Sequence, residues 1–207
     1  MNQANTTLRL MCLPLCLTAS VAHASDFYLE PRMGLNRGNL PNVGAFTADN
    51  NSTSLGVLAG YNITEQIALE FGYIDLGEIA YRTSTGGSAS FFNGNVTSSG
   101  TWSGSLKATA KGIPIGISLT PLDTERWNVN LRVGYMMIDA KVTGVVVTGS
   151  GTYTGGFSVD LEETYWGAGV GYKLADDMQI RLDALTVKVN KADYRINQYG
   201  VSLRKSF

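Results

Sequence analysis

From Phe27 to the C-terminus the chain alternates large apolar residues with small or polar ones, and helical spacing never wins over that period of two. A period of two belongs to β-strands whose two faces meet different surroundings. Phe27, Leu29, Pro31, Met33 and Leu35 oppose Tyr28, Glu30, Arg32 and Gly34; Leu55, Val57, Ala59, Tyr61 and Ile63 oppose Gly56, Gly60 and Asn62. The pattern returns around Ile67 to Tyr73, Gly112 to Leu119, Trp127 to Met137, Trp166 to Leu174, Met178 to Ala184 and Tyr199 to Phe207, eight segments in all. In the seventh, parity slips after Ala184, where Leu185, Val187 and Val189 become the apolar set. Either a bulge or departure of the strand from its apolar surroundings produces such a slip.

The connections alternate in length. Short turns fall at 62–66, 120–126 and 175–177, and long polar loops at 36–53, 77–105, 140–163 and 188–196, with Gly86-Gly87 and Gly155-Gly156 as expected hairpin tips. Eight antiparallel strands with both termini on one side require three turns on that side and four loops on the other. The face opposite the large apolar residues is mostly Gly, Ser and Asn with a few charges. Glycine, at 24 of 207 residues, is a poor covering for the exterior of a soluble sandwich or lipocalin-like barrel. Turned inside out the pattern is consistent, because a narrow barrel interior admits small residues and a few paired polar ones while Leu, Val, Ile and aromatics face lipid. Tyr61, Trp127 and Tyr172 then mark one membrane interface, and Tyr73, Tyr135 and Trp166 the other. The reading is all-β: an eight-stranded antiparallel up-and-down transmembrane β-barrel.

Residues 1–24 read as a secretory signal peptide: Arg9, an apolar run from Leu10 to Val21, then Ala22-His23-Ala24 before Ser25. A lipoprotein signal ending at Cys16 is the weaker alternative, since bulky Leu15 precedes the cysteine. The barrel domain is then 25–207, or 183 residues (207 − 24), with a net charge of −2 (15 − 17) after loss of Arg9. Cys12, Cys16 and His23 leave with the signal, so the mature chain offers no disulfide, thiol nucleophile, Cys or His metal ligand, or imidazole base. The near-neutral balance argues against nucleic acid as a partner. No cofactor or metal is expected.

Recurring Gly-Tyr pairs, at Gly60-Tyr61, Gly72-Tyr73, Gly134-Tyr135 and Gly171-Tyr172, together with the terminal Tyr199-Gly-Val-Ser-Leu-Arg-Lys-Ser-Phe207, carry a family likeness. The chain resembles the small eight-stranded outer-membrane barrels of Gram-negative bacteria, similar to the OmpA transmembrane domain and often labelled porin-family or opacity-like. The resemblance implies a non-enzymatic surface scaffold, contact with outer-membrane lipid and lipopolysaccharide, and a C-terminal signal, here Val201, Leu203 and Phe207, read by the barrel-assembly machinery. Lys205 departs from that signal, where family members usually carry an apolar or aromatic residue. A monomer is expected.

The face assigned to the lumen carries Glu30, Arg32, Glu70, Arg132, Lys173, Arg181, Asp183 and Arg204. Charges in a narrow lumen cost several kcal/mol unless partnered, so a paired network plugging the barrel is the bland reading and a narrow gated pore the sharper one. Barrel acyltransferases and deacylases of similar size depend on a histidine that this mature chain lacks. The acidic pairs Glu162-Glu163 and Asp176-Asp177 read as rim charges, because neighbours in a strand point to opposite faces. Phe91, Phe92, Trp102 and Tyr153 are apolar residues in polar loops, placed either to contact a host or matrix ligand or to pack the loop bases together.

Overall fold

The computed structural model describes residues 26–39, 47–85, 89–91, 96–98, 100–189 and 194–207. Residues 1–24, read above as a signal peptide, and Gly86-Gly87 and Phe92 lie outside the described residues. Regular structure within them is strand: β1 (Phe27–Gly38), β2 (Thr47–Asp49), β3 (Asn51–Asn62), β4 (Ile67–Thr85), β5 (Ala89–Phe91), β6 (Val96–Ser98), β7 (Trp102–Asp123), β8 (Trp127–Thr148), β9 (Gly151–Ala175), β10 (Met178–Val189) and β11 (Tyr194–Ser206).

Eight of these close a ring in the order β1-β3-β4-β7-β8-β9-β10-β11, each antiparallel to the next, with β11 returning to β1. β2 adds to the outer end of β4, and β5 pairs with β6 apart from the ring. Following paired residues once around leads from Tyr28 through Gly60, Glu70, Gly116, Gly134, Tyr165, Val187 and Ile196 to Gly38, a stagger of ten residues (38 − 28). That stagger over eight strands spaced about 4.8 Å apart tilts them by about 40° and leaves an interior just wide enough for side chains. The β1–β11 ladder skips at Pro31 and the β4–β7 ladder at Pro114, where proline has no N–H to donate. Closure leaves no sheet edge at membrane depth, which lipid would leave unsatisfied.

The exterior is the apolar face. Leu35, Leu55, Phe71, Tyr135 and Leu182 are each more than 60% exposed, while Tyr28, Glu30, Ile74, Met136 and Arg181 are almost fully enclosed. Two aromatic belts stand where the sequence placed them: Phe27 stacks on Tyr61 and Trp127 on Tyr172 at the turn end, while Tyr73, Tyr135, Trp166 and Tyr199 are exposed further along the strands. The inward glycines make room for large neighbours. A Cβ on Gly60 would lie 2.0 Å from the Tyr28 ring, and Cβ atoms on Gly116 and Gly134 would strike Tyr165. Only Gly77 among the ring's membrane-proximal glycines needs its conformational freedom, with φ of 77° at the bulge after Asp75, whose carboxylate accepts a hydrogen bond from the Gly77 amide.

Two expectations change, and an open alternative is decided. The 140–163 connection is almost wholly strand: β8 and β9 remain paired up to Thr148 and Gly151, so the tip is Gly149-Ser150, and Gly155 and Gly156 sit inside the ladder opposite Gly144 and Thr143. Backbone pairing with an extended neighbour overrides the turn preference of a glycine pair. The 77–105 and 188–196 connections shorten likewise, because β4, β7 and β10 run on past them. Of the two readings of the parity slip in β10, the bulge at Ala184 is excluded and the strand leaves its apolar surroundings, its outward residues becoming Thr186 and Lys188. Its pairing with both neighbours is continuous from Gln179 to Lys188, and Leu185, Val187 and Val189 keep the inward parity of Arg181 and Asp183. The interior itself changes from polar to apolar along the strand.

Candidate functional site

Three of the strands that rise from the turn end present polar residues to the interior first and apolar ones afterwards, while β1 stays polar up to Asn36. β8 gives Asn128, Asn130 and Arg132 before Met136 and Ile138; β4 gives Glu70 before Ile74 and Leu76; β10 gives Arg181 and Asp183 before Leu185 and Val187. The barrel therefore contains two stacked layers, an ion network near the turns and an apolar cluster above it.

Arg132 is the hub of the network. Its Nη2 donates to Glu30 at 2.6 Å, its Nη1 to Asp183 at 3.0 Å, and its Nε lies 2.9 Å from a Glu70 oxygen. Arg204 reaches Glu30 at 3.0 Å and Glu70 at 3.3 Å while its guanidinium lies 3.7 Å over the Tyr28 ring. The Tyr28 hydroxyl donates to Glu70 at 2.5 Å, and Ser202 Oγ donates to Glu30 at 3.1 Å or to Asp183 at 3.0 Å. Arg181 stands 3.6 Å from Glu30. Arg32 is buried on β1 but forms no ion pair among the described residues. Such a cluster is stabilising only as a unit, since removing one member leaves a buried charge uncompensated.

Lys173, grouped with these residues from its parity in the sequence, stands apart. Its ammonium pairs with Asp123 at 2.8 Å and donates to the Thr124 carbonyl at 2.9 Å at the turn-end mouth, because position 173 lies beyond the level of the network and its long side chain reaches water. Lys205, the irregular position of the C-terminal segment, pairs with Asp177 in the β9–β10 turn. That hydrogen bond holds the exposed Asp177 carboxyl below its ordinary range. Val201 and Leu203 lie on the outer face of β11, and Phe207 directly after it is exposed, its amide donating to the Phe27 carbonyl at 2.9 Å across the closing pair of strands.

The apolar loop residues separate. Trp102 starts β7 and is only 6% exposed, so it packs inward and offers little to a partner, a correction to its place among contact candidates. Phe91 lies in β5, its side chain outside the described residues, as is Phe92. Tyr153 is on β9, partly exposed, its hydroxyl 3.4 Å from Ser150 Oγ. Phe157, which the sequence reading passed over inside a supposed loop, is 62% exposed on the same face of the same strand. Its signal was present as continued alternation, Tyr153, Phe157, Val159 and Leu161, across the glycine pair.

These residues belong to an asymmetric crown. β4, β7, β8 and β9 are 19, 22, 22 and 25 residues long, against 12 or 13 for β1, β3, β10 and β11. The four long strands are neighbours, so one wall continues above the barrel as a sheet. β9 pairs with β10 only from Thr164 onward; among the described residues, 151–162 pair with β8 alone over about 40 Å of strand.

The family profile described as the outer membrane protein beta-barrel domain matches residues 10–207. The chain belongs to that family. Its place is the bacterial outer membrane, with short turns toward the periplasm and the crown outside. Among solved structures it is similar to the attachment invasion locus protein Ail of Yersinia pestis (TM-score 0.49, 13% identity, 88% of this chain and 99% of that one). It is also similar to Neisserial surface protein A (0.49, 15%, 90% and 100%) and to the N-terminal barrel domain of Pseudomonas aeruginosa OprF (0.42, 11%, 88% and 99%). No curated protein sequence matches the chain.

Proposed function

We propose that this barrel is a non-enzymatic, monomeric membrane anchor that presents its crown for adhesion or envelope contact. The observation that carries the reading is the β9 edge at 151–162, which among the described residues pairs with β8 alone, with Phe157 and Tyr153 exposed beside it. An unpaired edge is a template for an extended segment of another protein, main-chain hydrogen bonds supplying affinity and side-chain pockets specificity. Partners of this class are a host or matrix protein; the outer wall meets lipid and lipopolysaccharide, and Val201, Leu203 and Phe207 serve the barrel-assembly machinery. The interior supports an anchor over the narrow gated pore, because an apolar layer lies above an ion network whose hub engages three carboxylates at once.

The test is adherence of bacteria carrying the full chain to immobilised extracellular-matrix protein, compared with a variant in which residues 140–159, Tyr153 and Phe157 among them, are replaced by a two-residue turn. The shortened barrel should keep its heat-modifiable gel migration and lose adherence. Undiminished adherence by a correctly folded variant sinks the proposal, and unit conductance of the parent in planar bilayers would favour the pore.

A further inference from the structure

The polar half of the interior encloses three carboxylates, Glu30, Glu70 and Asp183, and four guanidiniums, those of Arg32, Arg132, Arg181 and Arg204. Arginine does not deprotonate in proteins, so the cluster carries one surplus positive charge. The structure also shows where that surplus sits. Arg132, Arg204 and Arg181 all approach Glu30, and the first two also reach Glu70, while Asp183 is taken by Arg132 and Ser202. Asp183, Glu30 and Glu70 act on Arg32 only through space, and on this residue, 5% exposed, Nη1 and Nη2 both lack a hydrogen-bond acceptor. The other buried carboxylate, Glu163, is in register with Met136, four residues up β8 from Arg132 and within the apolar layer; it accepts no hydrogen bond from those Arg32 nitrogens.

Burying a guanidinium whose donors find no acceptor is unfavourable. We propose that the barrel interior holds one small monovalent anion, of the halide class, against the Arg32 guanidinium and beneath the apolar layer. A single negative charge neutralises the cluster. Small size follows from the packing beside Arg32, where a Cβ on its register partner Gly56 would lie 3.0 Å from Ile74 Cγ1. The apolar layer above restricts exchange, so the ion enters during folding.

The full chain is refolded into detergent micelles in sodium chloride, sodium bromide or sodium gluconate at one ionic strength. In the halides the unfolding constant should fall up to tenfold for each tenfold rise in anion above its dissociation constant, with no such dependence in gluconate. Crystals grown from bromide should show an anomalous peak in contact with Arg32. Arg32→Met should abolish both effects; should it not fold, Arg32→Lys retains the charge and should retain the halide dependence, and the parent's bromide peak stands as evidence without any variant. Absence of the peak, equal stability in chloride and gluconate, or unchanged halide dependence in Arg32→Met each overturns the proposal, leaving water alone around Arg32.

Discussion

Arg132 binds more of the interior together than any other side chain, and its loss should be felt accordingly. Arg132→Met leaves Glu30, Glu70 and Asp183 without their hub, and the variant should lose about 3–5 kcal/mol in urea unfolding from micelles. A smaller effect is expected at the rim. The Asp177 carboxyl is held below its usual range by Lys205, so the pair contributes above the ordinary carboxylate pKa and that contribution disappears as pH falls through the lowered folded value. Asp177→Asn should therefore unfold at lower urea than the parent at neutral pH, and the two midpoints should converge in acid. The Arg, Glu and Asp residues of the network could be found from parity alone, except that parity also admitted Lys173. Parity gives the face a side chain leaves from, while axial level and reach decide what it touches.

At the scale of elements, β10 shows how one strand serves two interiors. The same inward parity carries Arg181 and Asp183 and then Leu185, Val187 and Val189, so the change of partners along the strand looks in sequence like a change of register. On β4, Ile74 is wholly enclosed in the upper layer, and Ile74→Ala should cost about 2–5 kcal/mol by leaving a cavity, measured by the same urea titration. The β8–β9 hairpin was the harder element to read. Its glycines and threonines resemble loop composition, and only pairing between the two strands shows that they continue to Gly149-Ser150.

For the whole molecule, the inside-out arrangement makes a depth-dependent prediction. Leu182 lies between the two aromatic belts, whereas Leu35 is the register partner of Tyr199 and so stands in the outer belt, at the membrane interface. Leu182→Arg should destabilise the barrel in lipid vesicles by about 2–4 kcal/mol, and Leu35→Arg by only about 0–1 kcal/mol. Equal penalties at the two sites would be incompatible with that placement of the bilayer. The asymmetric lengths of the strands also predict that the wall made of β4, β7, β8 and β9 is the one reached first by surface-directed protease, with cleavage confined to the crown.

The alternation from Phe27 to Phe207, the Gly-rich inner face and the short-turn rhythm determined by themselves that this chain forms an eight-stranded membrane barrel. These are local properties, because a strand's two faces are fixed by successive residues and lipid demands an apolar outside over every strand. The grouping of Glu30, Glu70, Arg132, Asp183 and Arg204 around one hub, the surplus at Arg32, the apolar layer above them and the β9 edge that pairs with β8 alone among the described residues were decided only by the tertiary structure. They depend on the ten-residue stagger of the closed ring, which brings side chains up to 174 positions apart to one level and sets which strands outlast their neighbours.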